Sequence, residues 1–235
     1  MTRSPGPSSR PGTTGDSGTP GGAGPGVPLL LACALGIERL ALRAAPRGGG
    51  AGAAGPVTLL RTGMGPGNAE RAVARALAEP RHRDAAVLAS GFCAGLAPGM
   101  NPGDLIVAEE TRGPDATTPC TGVGALVDAL VRAVPGHTVH TGPLTGSDHV
   151  VRGRERAALR TTGALAVDME SAATLRTALL AGPRPVAAVR VIVDAPEHEL
   201  VRIGTVRGGI SAFRVLRAVL PAFHEWHRSL LLPRR

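Results

Sequence analysis

The stretch AVDMESAATL, residues 166–175, decides the fold. It completes a short apolar run, Leu165–Asp168, that is typical of a buried strand, and a helix-patterned segment begins at Glu170. A strand that passes so directly into a helix is typical of sheets that are covered by helices. The junction also carries two carboxylates, Asp168 and Glu170, where burial of an unpaired charge would cost several kcal/mol. We therefore expect each acid to have a charged partner or a ligand.

The same alternation of strands and helices extends along the chain in both directions. Several apolar runs are continuous rather than alternating, as expected for strands covered on both faces. The predicted strands are Leu29–Ala34, Val57–Thr62, Ala85–Ala89, Leu105–Ala108, Thr138–Thr141, Leu165–Asp168 and Val186–Val193. The predicted helices are Asn68–Ala78, Gly124–Ala133, Arg152–Arg160, Glu170–Ala181 and Val206–Leu230. This pattern predicts one α/β domain with a mixed, mostly parallel central sheet flanked by helices.

The length and composition fit one folded domain with a tail. The chain has 235 residues, enough for a single sizeable α/β domain. Residues 1–26 consist almost entirely of Pro, Gly, Ser and Thr and cannot bury enough apolar surface to offset their ordering entropy. We predict a disordered tail over residues 1–26 and the folded domain over residues 27–235.

The charge and cysteine content exclude several classes of ligand. The net charge is +8 and every basic residue is Arg, but the Arg residues are dispersed, and three Phe, one Trp and no Tyr leave few rings on which bases could stack. We therefore expect no nucleic-acid ligand. Cys33, Cys93 and Cys120 have no metal-ligand spacing, and their odd number does not suit a disulfide framework. The expectation is no metal and a reducing cytoplasm.

One short stretch imitates a targeting signal. Leu30–Cys33 looks like a lipoprotein cleavage site, but the apolar run before it, Val27–Leu31, contains Pro28 and is shorter than the roughly 7–15 residues of a signal core. No stretch approaches the roughly 20 apolar residues of a membrane span. We therefore expect neither lipidation at Cys33 nor a membrane span.

Unusual residues follow five of the predicted strands. They are Glu38 after the first, Gly63–Gly65 after the second, Gly91–Gly95 after the third, Glu170 after Asp168, and Asp194 after Val193. Because open α/β sheets bind ligands at the carboxyl ends of their strands, we expect these features to converge at one edge of the sheet.

Each feature also has a purely structural interpretation. The Gly63–Gly65 turn precedes a helix and would suit an anion, yet it matches neither the phosphate-binding nor the dinucleotide-binding glycine spacing and serves equally as a turn. The bare backbone of Gly91–Gly95 would line a pocket or form a tight crossover, and Cys93, with no His near it in sequence, is favoured as a buried thiol. Glu170 would gain from the helix dipole alone. Asp194, at the end of a buried strand, is the stronger functional candidate.

Taken together, these motifs resemble the family of nucleoside phosphorylases and nucleosidases, which includes bacterial purine nucleoside phosphorylases and methylthioadenosine nucleosidase. The likeness covers residues 29–225, and the motifs occur in the family's order. They are Ala34–Glu38, Gly63–Gly65, Gly91–Leu96, Thr145–Asp148, Val167–Glu170 and Arg190–Asp194.

The resemblance implies an enzyme that breaks the bond between ribose and adenine. Asp194 matches the acid that protonates or hydrogen-bonds N7 of the purine. Glu170 matches the residue that accepts hydrogen bonds from the ribose hydroxyls, and Met169 the residue that packs against the sugar. Glu38 matches the residue that orients the attacking water in the hydrolytic members.

The resemblance also assigns residues to the pocket walls, with two departures. Gly91, Phe92 and Cys93 belong to the substrate loop, but relatives often carry Ser where this chain has Phe92. Val150 stands where nucleosidases stack an aromatic ring on the base, and we interpret it as an aliphatic wall for a bulkier, more apolar substrate.

The resemblance leaves hydrolysis and phosphorolysis open. Glu38 favours water, whereas Arg39, Arg61 and Arg190, with the turn at Gly63, would suit phosphate. No cofactor is expected, and inorganic phosphate would be the co-substrate of a phosphorolytic reaction.

Within the family the sequence is most similar to the hopanoid-associated phosphorylases, which act on adenosylhopane. The supporting stretches are Ala32–Arg39, Gly91–Leu96 and Val193–Glu197. The expected partner is an adenine nucleoside that is linked to a lipid, with weak association at the inner membrane face and assembly into a homo-oligomer. The alternatives are a methylthioadenosine/adenosylhomocysteine nucleosidase, a general purine nucleoside phosphorylase and, in another class, a non-catalytic nucleoside-binding protein.

Overall fold

A computed structural model of the chain describes residues 1, 26–44, 55–196 and 205–230, with the backbone alone over 205–210. The predicted tail, residues 1–26, lies outside the described residues apart from its two ends.

Eight strands and seven α-helices alternate within these ranges. The strands are β1 (Leu29–Cys33), β2 (Val57–Arg61), β3 (Ala86–Gly95), β4 (Leu105–Arg112), β5 (Thr117–Pro119), β6 (Val139–Gly146), β7 (Ala166–Asp168) and β8 (Val186–Asp194). The helices are α1 (Gly36–Arg43), α2 (Pro66–Leu77), α3 (Val123–Ala133), α4 (Gly153–Thr161), α5 (Ser171–Leu180), α6 (Thr205–Ala218) and α7 (Leu220–Ser229). A short 3₁₀ turn, Pro80–His82, follows α2.

All eight strands belong to one mixed sheet. The pairs β1–β2, β1–β3, β3–β8, β4–β6 and β6–β7 are parallel, whereas β3–β7, β4–β5 and β4–β8 are antiparallel. The pairings β3–β8–β4–β6–β7–β3 close into a circuit, from which β1 and β2 extend on one side and β5 on the other. The predicted fold class, a single α/β domain with a mixed and mostly parallel sheet, is confirmed.

Helices cover the sheet on two sides. One core cluster joins the sheet to α1, α3, α6 and α7 and contains the fully buried Phe223 and Trp226. A second joins it to α2 and α5 through Val73, Leu77 and Leu175, and a third, smaller cluster contains Leu96, Val151, Ala164 and Val167. Strands with helices on both faces bury nearly every side chain, which explains the continuous apolar runs of the sequence.

The structure differs from the predicted elements in the N-terminal third of the chain. Helix α1 was not predicted, because its exposed face carries Ile37 and Leu40, and this blurs the apolar periodicity that marks a surface helix. Strand β3 continues through Gly95, where a loop was expected. These small residues form a ladder with β8 and then with β7, so the bare backbone is strand rather than crossover.

The predicted C-terminal helix, Val206–Leu230, is two helices. Pro221 lies in the first turn of α7, where its missing N–H costs no hydrogen bond, but it would disrupt one continuous helix. The sequence of this segment places apolar residues on one stripe, and its members Phe213, Leu216, Leu220, Phe223 and Trp226 lie in the core or pack against it. Ile210, of the same stripe, falls where the backbone alone is described. The polar sequence His224–His227 predicts the polar face of this helix, but His227 is fully buried, and burial lowers its pKa.

Candidate active site

A cavity of about 240 Å³ lies where the carboxyl ends of β1, β3 and β8 meet the end of β7. These ends converge because β1, β3 and β8 are parallel, while β7 runs antiparallel to the last residues of β3 and so delivers its own carboxyl end to the same place. The cavity is lined by Ala34, Leu35, Glu38, Met64, Phe92, Cys93, Ala94, His149, Val150, Val151, Arg156, Val167, Asp168, Met169, Glu170, Val193 and Asp194. Seven predicted site residues are among them: Glu38, Phe92, Cys93, Val150, Met169, Glu170 and Asp194.

Glu38 is held by backbone N–H groups. Its Oε2 accepts hydrogen bonds from the backbone N–H groups of Ala34 (2.9 Å) and Leu35 (2.8 Å), and its Oε1 accepts one from Phe92 (2.8 Å). The bond to Leu35 also caps the N-terminus of α1. Glu38 therefore fixes α1 against β3 and presents an immobilised, buried carboxylate to the cavity.

Gly91 makes room for this carboxylate. It has φ +146°, and a Cβ at this position would lie 2.4 Å from Oε1 of Glu38 and 2.6 Å from Nη1 of Arg190. Gly91 does not line the cavity itself. Its place in the site follows from the close approach that the absent side chain permits.

Glu170 occupies the N-cap position of α5 and reaches across the cavity to α2. Its Oε1 accepts a hydrogen bond of 2.8 Å from the backbone N–H of Gly65, the residue that caps α2. Burial raises the pKa of Glu170, and the charges of Asp168 and Glu38 add to this rise, while Arg190 and the Gly65 N–H oppose it. The anion that binds at the glycine turn is thus the carboxylate of Glu170. Burial removes water from this carboxylate, so hydrogen bonds from the hydroxyl groups of a ligand would stabilise its charge.

Asp168 lines the cavity and belongs to a buried ion pair with Arg190, which lies behind it. Its Oδ2 lies 2.6 Å from Nε of Arg190 and accepts a hydrogen bond of 2.6 Å from the hydroxyl of Ser171. The guanidinium of Arg190 also donates to the backbone oxygen of Ser90 at 3.3 Å. Burial lowers the pKa of Arg190, but the neighbouring carboxylates outweigh burial and raise it. Asp168 is therefore a structural acid whose partner is Arg190, which answers the question that its sequence position posed.

Asp194 is paired with a residue that the sequence did not single out. Nη1 of Arg156 donates to Oδ1 of Asp194 at 3.3 Å, and Nη2 donates to Oδ2. Arg156 lies in the first turn of α4, and its side chain is only 8% exposed. Four arginines occur between residues 152 and 160, and no sequence pattern distinguishes the buried one.

The segment before α4 forms the outer wall of the cavity. His149 receives two ion pairs, from Asp148 at 2.6 Å and from Glu155 at 2.9 Å, and these contacts raise its pKa. Val150 follows and is 60% exposed. Two carboxylates thus hold His149 at the cavity, a role that the sequence did not indicate.

The residues predicted for phosphate do not line this cavity. Arg61 is exposed at the end of β2, and Gly63 forms the turn into α2 with φ +86°. Arg190 is occupied by Asp168 and Ser171. Their assignment to phosphate stays a prediction, and the geometry does not bring the three together in the cavity.

The cysteines are free, and the cavity holds one of them. Burial raises the pKa of the Cys93 thiol above its ordinary range, and raises those of Cys33 and Cys120 to about 12. Cys93 accordingly lines the site as a neutral, inert thiol. Within the described ranges, no group of three or more His, Cys, Asp or Glu side chains could hold a metal ion.

The arrangement suits a small polar molecule with one apolar part. Glu38 and Glu170 offer buried acceptors, Asp194 and Arg156 offer a charged pair, and the remaining wall is mostly aliphatic. Fixed carboxylates in a cavity at the strand ends of an α/β sheet are typical of a site that binds a small ligand.

Comparison with known proteins gives the family. A model of the phosphorylase superfamily matches residues 49–221. The chain therefore belongs to the phosphorylase superfamily, and the predicted class of enzyme, nucleoside phosphorylase or nucleosidase, is confirmed. No curated protein matches the chain.

Solved structures of this class share the fold. The 5′-methylthioadenosine/S-adenosylhomocysteine nucleosidase of Neisseria meningitidis, in complex with methylthio-immucillin-A, has a TM-score of 0.69 and 20% identity over 86% of this chain and 99% of its own. The nucleosidase of Colwellia psychrerythraea 34H in complex with adenine gives 0.65 and 18% over 87% and 96%. Futalosine hydrolase of Helicobacter pylori gives 0.68 and 16% over 83% and 96%.

Proposed function

We propose that the protein cleaves the N-glycosidic bond of an adenine nucleoside and releases adenine. The observation that carries the proposal is the convergence of Glu38, Glu170 and Asp194 on one cavity. Two solved nucleosidases of the same fold are in complex with methylthio-immucillin-A and with adenine, which supports a nucleoside as the ligand.

Each carboxylate has a distinct task in such a cleavage. As the bond breaks, the ribose acquires positive charge and the base acquires negative charge. Glu170 would accept hydrogen bonds from the ribose hydroxyls and, with Glu38, stabilise the positive charge on the sugar. Asp194, across the cavity on β8, would meet the leaving base and supply a hydrogen bond or proton to it.

We further propose water as the acceptor of the sugar. Phosphate would have to enter beside the carboxylates of Glu38 and Glu170, where charge repulsion disfavours it. The one guanidinium among the described lining residues, Arg156, is paired with Asp194, and Arg190 is paired with Asp168. Glu38, fixed by three N–H groups, is well placed to orient a water molecule.

The walls of the cavity favour a substrate with an apolar 5′ substituent. Leu35, Met64 and Val150 all line the cavity, and all are substantially exposed. A bulky hydrocarbon would cover these side chains, whereas unmodified adenosine would leave them in water. We propose adenosylhopane as the substrate, and a methylthioadenosine/adenosylhomocysteine nucleosidase activity is the alternative.

Adenine release with and without phosphate tests both proposals. Purified protein is incubated with adenosine, methylthioadenosine and adenosylhopane, and adenine is quantified by chromatography. Equal rates in the two buffers are expected, with adenosylhopane preferred and with a loss of at least 100-fold in Asp194→Asn. A strict need for phosphate would refute hydrolysis, and a strong preference for methylthioadenosine would refute the lipid-linked substrate. A fully active Asp194→Asn variant would refute the catalytic assignment.

A lipid-linked substrate also implies contact with a membrane surface. The exposed apolar side chains Leu35, Ile37, Leu40, Met64 and Val150, here called the mouth patch, lie on the cavity rim and on adjacent α1. In the described residues, no helix is long and apolar enough to span a bilayer. We propose weak, peripheral association through the mouth patch, aided by the net charge of +8. Sedimentation with anionic vesicles tests it, and light scattering tests the expected homo-oligomer.

A further inference from the structure

The contact between Arg156 and Asp194 has a geometry that constrains what Asp194 can do. The two terminal nitrogens of the guanidinium each donate to a different carboxylate oxygen, in the fork arrangement that gives Arg–carboxylate pairs their directionality. Both side chains are largely buried, with 8% of Arg156 and 14% of Asp194 exposed, so water competes little for this pair.

In this arrangement both oxygens of Asp194 act as acceptors. A purine ring nitrogen such as N7 is also an acceptor, so the paired carboxylate has no donor to offer it. Each oxygen keeps a second lone pair, but a proton there would stand beside the positive guanidinium, so proton transfer from Asp194 to a leaving adenine is favoured when one oxygen is released from Arg156.

The guanidinium retains a donor of its own that could drive this exchange. Nε of Arg156 is buried and has no hydrogen-bond partner among the described residues. A buried N–H without an acceptor destabilises the protein, so a ligand that offers an acceptor, or a small rotation that finds one, is favoured. The contact with Asp194 therefore leaves one N–H donor of Arg156, at Nε, without an acceptor.

Arg156 is carried by the wall of the cavity and not by the sheet. It lies in the first turn of α4, and the preceding residues His149, Val150 and Val151 also line the cavity. His149 is tied to the same turn through Glu155. Asp194, in contrast, ends β8 within the sheet. Arg156 accordingly connects the outer wall of the cavity, formed by residues 149–151 and α4, to Asp194 at the end of β8.

We propose that Arg156 is the positioning residue for Asp194. It holds the carboxylate with both oxygens engaged before the nucleoside binds, and entry of the nucleoside breaks one contact while the other keeps the carboxylate aimed at the base. The freed oxygen takes a proton from solvent and passes it to the purine. The C1′–N9 bond breaks with its electron pair on the base, while water adds its hydroxyl to C1′ and gives its second proton to solvent. This inference rests on the proposed adenine nucleoside cleavage.

Kinetics of Arg156→Gln, Arg156→Lys, Asp194→Asn and the double variant Arg156→Gln/Asp194→Asn test the proposal. With the nucleoside that the wild type cleaves best, Arg156→Gln should lower kcat at least tenfold and change KM less than threefold. Arg156→Lys should recover most of the loss. The double variant should be no slower than Asp194→Asn, because Arg156 acts through that residue. Arg154→Gln, at an exposed position of the same helix, is the matched control and should stay within twofold of the wild type.

Three results would overturn the proposal. They are a kcat of Arg156→Gln within twofold of the wild type, losses of the two single variants that multiply in the double variant, or a structure with adenine bound in which both Arg156–Asp194 contacts persist. Should Arg156→Gln not fold, the Lys variant and the adenine complex still decide. A wild type that releases adenine from no nucleoside would refute the proposed function itself, which separates the two failures.

Discussion

Replacing Gly91 by alanine tests whether the site depends on close packing of the Glu38 carboxylate against the backbone of β3. The added methyl group would lie 2.4 Å from Oε1 of Glu38 and 2.6 Å from Nη1 of Arg190. Neither atom can move freely. Glu38 is fixed by three backbone N–H groups, and Arg190 is paired with Asp168.

Two terms set the expected loss of stability for Gly91→Ala. The backbone conformation, φ +146°, is one that residues with a side chain rarely adopt, at a cost of about 1–2 kcal/mol. Overpacking at the buried position adds about 1–3 kcal/mol. We expect the free energy of unfolding to fall by about 3 kcal/mol, which lowers Tm by roughly 6–12 °C in a domain of this size.

The matched control is Gly136→Ala. Gly136 also has a positive φ, +89°, but an added Cβ meets no atom within 4 Å, so this variant reports the backbone cost alone. Both variants are measured by urea denaturation, and their adenine release is compared at a temperature where both are folded. Gly91→Ala should be the less stable by at least about 1 kcal/mol and, unlike Gly136→Ala, should lose most of its activity because Glu38 is displaced. Equal stability and equal activity of the two variants would refute the packing argument.

Other variants address the charges around the cavity. Burial raises the pKa of Glu170, so the folded state loses stability as the pH rises from 4.5 through the raised value. Glu170→Gln lacks this titration, and its stability relative to the wild type should increase between about pH 4 and 7. The same variant should lose activity. Unfolding curves at both pH values check this, and an unchanged difference would contradict it. Asp168→Asn should cost about 3–5 kcal/mol, because it leaves the guanidinium of Arg190 buried without its counter-charge, whereas a loss below about 1 kcal/mol in urea denaturation would argue against the pair. Cys93 should resist iodoacetamide in the folded protein and react after unfolding, because burial raises the pKa of its thiol. Mass spectrometry measures the alkylation, and rapid alkylation of Cys93 in the folded protein would contradict this prediction.

The sheet could be predicted from the sequence because its strands are buried on both faces. Continuous apolar runs such as Val186–Val193 have few alternative interpretations once helices alternate with them. The extension of β3 could not be predicted in this way, since Gly91–Gly95 carries no apolar signal and becomes strand only by pairing with β8 and β7. Likewise the division of the C-terminal helix depends on one residue, Pro221, whose effect a long apolar stripe obscures.

The acids of the site were predictable for a topological reason. Glu38, Glu170 and Asp194 each follow a strand, and strands that share a sheet bring their ends together whatever the sequence distance. Arg156 lies on a helix surface among other arginines, where burial depends on the angle at which α4 packs and not on any local pattern. Position at a strand is not sufficient either. Arg190 lies on β8, as a site residue would, but its guanidinium is paired with the buried carboxylate of Asp168.

Asp168 and Glu170 are two residues apart, yet one carboxylate is paired with an arginine and the other accepts a hydrogen bond from a backbone N–H. Asp168 is the last residue of β7, so the strand fixes its direction and places it beside Arg190 and the N-terminus of α5. Glu170 comes after the strand has ended, at the N-cap of α5, where the chain turns and the side chain reaches the cavity. The paired acid is stabilised in the absence of a ligand, whereas Glu170 is buried with one backbone N–H donor and a raised pKa. An acid in that state gains most from hydroxyl donors, and this energetic difference supports the proposal that the ribose binds at Glu170 and not at Asp168.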